Sequence, residues 1–214
     1  MDRRLLAEKI MTEDALTIVI PYWMNRKRCT DLVSELLRQK TKYPQTVILV
    51  VDDGSPDGAF LDGIDGIKVI HAPHGGPQSA RNIGLDNVDT EFVTLCDCDD
   101  MVLPKYLKTI YRAMRRGYRY ISFGWVFNNG MPMQSYTPGY RSNACWAYAY
   151  RTEIVGKERF DPSIKNGADD IDFVKRVIDY RMDHADLPDV IYEYYWYGNT
   201  NSLMHRILRG ENVF

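Results

Sequence analysis

Apolar residues recur along this chain in two rhythms, short continuous runs and helical spacing, and their order predicts the architecture. Residues 16–22 form an apolar run rich in β-branched side chains, closed by the polar Asn25-Arg26-Lys27, as a buried strand requires. Cys29, Leu32, Val33, Leu36 and Leu37 then repeat at helical spacing until Lys40 and Pro44. The pairing recurs. Residues 46–51 read as a strand ending in Asp52-Asp53-Gly54-Ser55, and residues 67–71 as a shorter one ending in His74-Gly75-Gly76-Pro77. A helix over 78–85 follows, then a strand over 92–96 ending in Asp97-Cys98-Asp99-Asp100, and a helix over 104–116.

Strands alternating with helices imply an α/β fold with a largely parallel sheet covered on both faces. Such sheets bind ligands at the carboxyl ends of their strands, where every acidic or glycine-rich cluster just named falls. Four loops are therefore expected to converge on one crevice. After a strand over 120–126, the turn Asn128-Asn129-Gly130 and the stretch 131–140 break the alternation. A later helix fits Ile171, Val174, Val177 and Ile178, and an aromatic strand fits 190–197. The expected organisation is one domain over 1–214: a leader helix over 1–15, a ligand-binding half over 16–126, and a smaller mixed lobe with a C-terminal tail over 127–214.

Composition narrows the classes. With 214 residues, 45% hydrophobic and 26% charged, the chain can bury one substantial core and is neither disordered nor fibrous. Its 27 basic and 29 acidic side chains give a net charge of -2, so no global field draws it to nucleic acid or an anionic membrane. The apolar stretch 15–23 is shorter than the roughly 20 residues that span a bilayer. Acids at Glu8, Glu13 and Asp14 argue against an export signal. Cys29, Cys96, Cys98 and Cys145 lack CxxC spacing, so reduced thiols in a cytoplasmic protein are expected.

The acidic clusters carry the candidate chemistry. If the strand alternation continued into Asp97-Cys98-Asp99-Asp100, Asp97 and Asp99 would point the same way, and such crowding calls for a cation. Mg2+ or Mn2+ takes oxygen ligands and is held by one or two carboxylates plus substrate phosphates. The plainer alternative is a helix N-cap, which does not employ all three acids. Asp53 lies in a turn-forming sequence and, if not merely a turn former, suits an acceptor for the imide N–H of uracil, thymine or guanine. Gly75-Gly76 precede a helix whose first amides, with Arg81, suit a diphosphate. Asp169 and Asp170 stand at a helix start, where acids are favoured anyway, and a carboxylate there also suits a general base toward a sugar-like hydroxyl.

Taken in order, these motifs resemble glycosyltransferase family 2, the inverting, metal-dependent, nucleotide-sugar transferases of the GT-A fold. The match runs through Thr17-Ile18-Val19-Ile20-Pro21-Tyr22, Val50-Val51-Asp52-Asp53-Gly54-Ser55 and Gly75-Gly76-Pro77-Gln78-Ser79-Ala80-Arg81-Asn82. It continues through Asp97-Cys98-Asp99-Asp100, Arg159-Phe160-Asp161-Pro162 and Asp169-Asp170-Ile171-Asp172-Phe173. The resemblance implies a Rossmann-like sheet and a nucleoside pocket lined by Pro21, Tyr22 and Asp53, with Arg81 near the base or diphosphate. It implies a DXD motif in which Asp97 faces the ribose or metal shell and Asp99 binds the Mn2+ or Mg2+. Asp170 aligns with the catalytic base, and His205 in the C-terminal tail with a histidine that completes the metal shell. The implied reaction moves one sugar from a nucleoside-diphosphate sugar, a UDP-sugar first, to an acceptor hydroxyl in glycan, lipopolysaccharide or capsule assembly.

This sequence departs from the family pattern in two places. Asp169 replaces the usual glutamate, and the longer Tyr22-Trp23-Met24-Asn25 leaves either Tyr22 or Trp23 as the stacking aromatic. Absence of the membrane helices of processive synthases favours a single-sugar transferase. A sugar-nucleotide pyrophosphorylase would need a glycine-rich loop after the first strand. A non-catalytic carbohydrate-binding module is the rival suggested by Tyr192-Glu193-Tyr194-Tyr195-Trp196-Tyr197, although such stripes usually belong to a sheet core. The expected acceptor is a glycan or a lipid-linked glycan. Lys105, Lys108, Arg112, Arg115, Arg116 and Arg119, interleaved with Tyr106, Tyr111, Tyr118 and Tyr120, read as a solvated helix face, or else as a surface for an anionic membrane or a nucleic-acid acceptor. The expected localisation is cytoplasmic, with peripheral contact at the inner membrane face possible by that patch, and the C-terminal aromatics would suit a homodimer.

Overall fold

The computed structural model describes residues 15–131, 142–164, 168–198 and 203–210. In chain order the strands are β1 (Leu16–Tyr22), β2 (Val47–Asp52), β3 (Lys68–His71), β4 (Phe92–Leu95), β5 (Met101–Val102), β6 (Tyr120–Phe127), β7 (Tyr148–Arg151) and β8 (His184–Tyr194). The helices are α1 (Arg26–Lys40), α2 (Pro77–Asp86), α3 (Tyr106–Met114), α4 (Thr152–Val155), α5 (Asp169–Val177) and α6 (Leu203–Leu208). Short 3-10 turns occupy Gly58–Gly63 and Cys145–Ala147. The leader helix expected over 1–15 falls almost wholly outside the described residues.

All eight strands join one sheet in the order β3-β2-β1-β4-β7-β6-β8-β5. β1 pairs in parallel with β2 and β4, and β2 with β3, which is the doubly wound half predicted by the alternation of strands and helices. β7 runs antiparallel to both β4 and β6, so the sheet turns mixed where the alternation breaks. The second half continues the sheet of the first.

Packing follows from the sequence pattern. β1 is buried along its whole length, and Cys29, Leu32, Val33 and Leu36 form the buried stripe of α1. α2 lies close on β1 at Gly84, where a Cβ would stand 2.2 Å from Val19 Cγ1. Gln39 is buried but satisfied: its amide donates to the Leu103 carbonyl at 2.9 Å and accepts from the Leu107 amide at 2.9 Å, tying α1 to the start of α3.

β5, β7, α4 and α6 add to the expected elements, and two expected strands differ in extent. The last strand begins six residues before 190, because β8 enters the sheet at His184 opposite Tyr120. Its polar residues and Pro188 hide it from a hydrophobicity reading, and a bulge between Ser122 and Gly124 absorbs Leu187, Pro188 and Asp189. The strand over 92–96 stops at Leu95, so residues 97–100 form a turn, and strand alternation does not place Asp97 and Asp99. Among the described residues no helix is long and apolar enough to cross a membrane.

Candidate active site

The candidate site residues gather where β1, β2 and β4 end. At β1, Tyr22 is fully buried and its hydroxyl donates to both carboxylate oxygens of Asp57 at 2.8 Å, beside the buried Pro21. Burial, with the Asp57 carboxylate behind it, raises the Tyr22 phenol well above its usual range. Of the two aromatics, Tyr22 is buried, whereas Trp23 is 37% exposed and stacks on the His74 ring at 4.0 Å.

Asp53 does not point an unencumbered carboxylate into the crevice. Its Oδ1 accepts from the Gly75 amide at 2.8 Å and its Oδ2 from the Gly76 amide at 3.0 Å, while His74 Nδ1 hydrogen-bonds the Asp53 carbonyl at 3.1 Å and stands 2.8 Å from Oδ2. It clasps the loop before α2, whose turn needs Gly76 at φ +87°. Asp52 makes a second clasp, accepting from the Ser55 amide at 2.8 Å and facing His71 Nδ1 at 2.8 Å.

Arg81 of α2 is the hub. Nη2 donates to Asp97 Oδ1 at 2.7 Å, Nη1 to Asp169 Oδ2 at 3.2 Å, and Nη1 stands 3.7 Å from Asp170 Oδ1. The guanidinium also lies 5.3 Å from the centre of the Phe160 ring. Sequence reading placed Arg81 near a base or diphosphate; here it joins the acids of both halves of the chain. Its Nε has no partner among the described residues.

Neither acidic cluster serves as a helix cap. The residue preceding α3 is Lys105, and the one preceding α5 is Ala168. Asp169 and Asp170 occupy the first turn of α5, where the helix dipole favours negative charge. Asp170 also accepts from Cys145 Sγ at 3.2 Å and from the Cys145 amide at 3.4 Å. Its pKa is raised to about 6: burial drives it up, Arg81 pulls it back, and the charges of Asp97 and Asp169 push it higher. A carboxylate so tuned is ionised at neutral pH yet basic enough to take a proton.

Asp100, which in sequence only extends an acidic run, anchors the turn to β8 and the segment after it. Its oxygens accept from the Tyr192 hydroxyl at 2.6 Å and the Tyr195 amide at 2.8 Å, while Tyr192 accepts from the Asp97 amide at 3.2 Å. Burial, then Asp99 and Asp97, push its pKa well up. Tyr192, Tyr195 and Cys145 were invisible as partners because about a hundred residues, or a chain reversal, separate them from the acids they hold.

A divalent cation suits the donor set. Asp97 and Asp99 offer only hard oxygens within one turn, and three carboxylates share the single guanidinium of Arg81, leaving an excess of negative charge. Among the described residues no group of three or more His, Cys, Asp or Glu side chains is assembled that could hold a metal ion. Two carboxylates with a bound diphosphate is the arrangement that Mg2+ and Mn2+ accept. His205 lies in α6 with its ring 4.0 Å from that of Trp196.

The basic stretch around α3 separates into two parts. Tyr106, Tyr111 and Tyr120 are buried in the core, so they do not interleave with the cations at the surface. Arg112 pairs with Asp189 at 2.9 Å and Arg119 with Glu153 at 2.9 Å. Of the aromatic run near the C-terminus, Tyr192 joins the core, stacked on Trp146 at 4.6 Å, and Tyr194 packs against it, while Tyr197 is exposed.

Residues 17–181 match the family described as glycosyl transferase family 2, and the chain belongs to that family. It is similar to the succinoglycan biosynthesis protein ExoW of Rhizobium meliloti, 37% identical over 116 residues, covering 47% of this chain and 34% of that protein. In structure it resembles Staphylococcus aureus TarS 1-349 in complex with UDP, with a TM-score of 0.74 at 20% identity, covering 85% of this chain and 60% of that one. The mannosyltransferase PcManGT of Pyrobaculum calidifontis, in complex with GDP-Man and Mn2+, aligns with a TM-score of 0.63 at 15% identity, over 84% and 56% of the two chains. These likenesses establish the GT-A fold. The stretch matched in the curated relatives spans 34% of ExoW and 40% of the Streptococcus pneumoniae glycosyltransferase GlyG.

Proposed function

We propose that this chain is a metal-dependent, inverting glycosyltransferase that moves one sugar from a nucleoside-diphosphate sugar, a UDP-sugar first, to an acceptor hydroxyl. The observation that carries this reading is the Arg81 hub, which brings Asp97 of the DXD turn and Asp169 and Asp170 of α5 around one guanidinium. The donor nucleoside would lie across the β1 and β2 ends, against Pro21, Trp23 and the loop that Asp53 clasps. Asp97 and Asp99 would hold Mg2+ or Mn2+, with His205 a further ligand from the tail. A cation there supplies positive charge to offset what gathers on the departing diphosphate.

Asp170 accepts the proton of the acceptor hydroxyl as its oxygen attacks the anomeric carbon. The bond from that carbon to the diphosphate oxygen breaks in the same displacement, which inverts the centre. Arg81 keeps the Asp170 carboxylate anionic and oriented during the approach. Relatives named for succinoglycan biosynthesis and for β-N-acetylglucosaminyl transfer to poly(ribitol-phosphate) support a glycan or lipid-linked glycan acceptor in surface-polymer assembly. Four free, buried thiols among the described residues suit a cytoplasmic setting.

The test is calorimetric binding of UDP, GDP, TDP and CDP with and without Mn2+, on the native chain and on Asp99→Ala, followed by a sugar screen on the nucleotide that binds. Manganese-dependent binding of UDP, lost in Asp99→Ala, is expected. Binding that ignores both manganese and Asp99 would remove the metal reading. No nucleotide binding under any condition would favour a carbohydrate-binding module.

A further inference from the structure

We propose that Cys145 is a positioning residue for the Asp170 base, its thiol and its own backbone amide gripping the two oxygens of the carboxylate. The inference rests on the reading of Asp170 as the base and deepens it. Cys145 Sγ stands 3.2 Å from Oδ1 and Cys145 N stands 3.4 Å from Oδ2, so one residue addresses both oxygens from a turn 25 residues upstream.

The grip is rigid because the turn is fixed on both sides. The Tyr150 hydroxyl donates to the Cys145 carbonyl at 3.0 Å. The next residue, Trp146, stacks on Tyr192 at 4.6 Å, and Tyr192 donates to Asp100 in the DXD turn. Cys145 itself is fully buried. Burial pushes its thiol well above the ordinary range, so it remains an S–H donor and does not compete as a second anion.

The contact leaves the carboxylate able to react. An ionised carboxylate offers about four lone-pair sites, and Cys145 takes two of them. Arg81 on α2 sits 3.7 Å from Oδ1, beyond hydrogen-bond distance, so it does not occupy that oxygen's remaining lone pair. The other charges facing Asp170 are Asp97 from the turn after β4 and Asp169 from its own helix, both of which oppose its ionisation. Arg81 and the thiol act the other way. Without the thiol, Oδ1 would lose a donor that favours the anion and would face Arg81 alone at 3.7 Å, free to turn away from the orientation the turn now fixes.

Cys145→Ala, Cys145→Ser and Asp170→Asn test this in the full chain. The readouts are UDP release from UDP-GlcNAc with Mn2+, water serving as acceptor, and the carboxyl 13C titration of Asp170, assigned by its absence in Asp170→Asn. Cys145→Ala should lower kcat roughly three- to tenfold with KM for UDP-GlcNAc unchanged, and should move the Asp170 midpoint upward. Cys145→Ser, which restores a donor, should recover both. Wild-type kcat and midpoint in Cys145→Ala would overturn the proposal, as would equal loss in the Ala and Ser variants with no change of midpoint, which marks packing alone. Turnover that survives in Asp170→Asn would instead remove the base reading, and the positioning role with it.

Discussion

Arg81 donates to Asp97 at 2.7 Å and to Asp169 at 3.2 Å, although the second partner lies 88 residues further along the chain. One buried guanidinium thus joins the turn after β4 to the first turn of α5. A planar guanidinium holds its donors in a fixed fork that addresses two carboxylates from set directions, whereas an ammonium is a compact point charge on a flexible stem. The hub ties Asp97, one of the proposed metal-binding acids, to the proposed base, and its positive charge offsets part of the repulsion among Asp97, Asp169 and Asp170.

Removal of the fork should be felt throughout the domain. Arg81→Met leaves Asp97, Asp169 and Asp170 without their shared partner, and breaking a buried pair of this kind costs about 3–5 kcal/mol. Urea unfolding measures the loss. Arg81→Lys should recover only part of it, since an ammonium lacks the fixed, widely spaced donors of the fork; full recovery would show that charge alone matters.

Asp170 should govern the acid limb of activity. Its pKa is raised to about 6, mainly by burial, so turnover should fall as pH drops through 6 and the base takes a proton before it meets the acceptor. Stability moves the other way. A carboxyl whose folded value lies above its unfolded 3.8 contributes most below pH 4, and that contribution is lost as pH rises through 6. Asp170→Asn should therefore be inactive yet more stable at pH 7, by about 1–3 kcal/mol. Retained activity, or a less stable variant, would contradict this account.

The contact of α2 with β1 should not tolerate a methyl group. A Cβ on Gly84 would lie 2.2 Å from Val19 Cγ1, and Val19 is a buried, stiff, β-branched side chain. Gly84→Ala should lower stability by about 1–3 kcal/mol despite the better helix propensity of alanine. Val19→Ala combined with Gly84→Ala should be less unstable than the sum of the single changes, which thermal unfolding of the four proteins would reveal.

His71 should act as an acid-side clasp. Its Nδ1 faces Asp52 at 2.8 Å and its Nε2 faces Asp62 at 3.0 Å, so both nitrogens need a proton to satisfy both contacts. Its pKa is accordingly raised above 6.5, chiefly by Asp62 and then Asp52. The stabilisation is complete below pH 6.5 and lost as pH rises through the raised value. The melting temperature of the native chain should exceed that of His71→Gln at pH 5.5, and the gap should close at pH 9. A gap independent of pH would assign the contact to packing.

Much of this molecule is written in local pattern. The apolar run at residues 16–22, the helical spacing from Cys29 to Leu37, and the acids and glycines at strand ends together specified an α/β sheet with a crevice at one edge, because hydrophobic period and turn chemistry act over a few residues. The order of the motifs also pointed to glycosyl transferase family 2, to which the chain belongs. Partner choice was decided only in three dimensions. Nothing local tells that Asp53 is engaged by Gly75 and Gly76, that Arg81 turns toward Asp169, or that Cys145 reaches Asp170. Polar atoms withdrawn from water must find partners wherever the fold brings them, and those partners lie across the sheet from one another, far apart in sequence. The same closure gave β8 its early start, since hydrogen bonding to β6 outweighs the polar residues and the proline that its sequence displays.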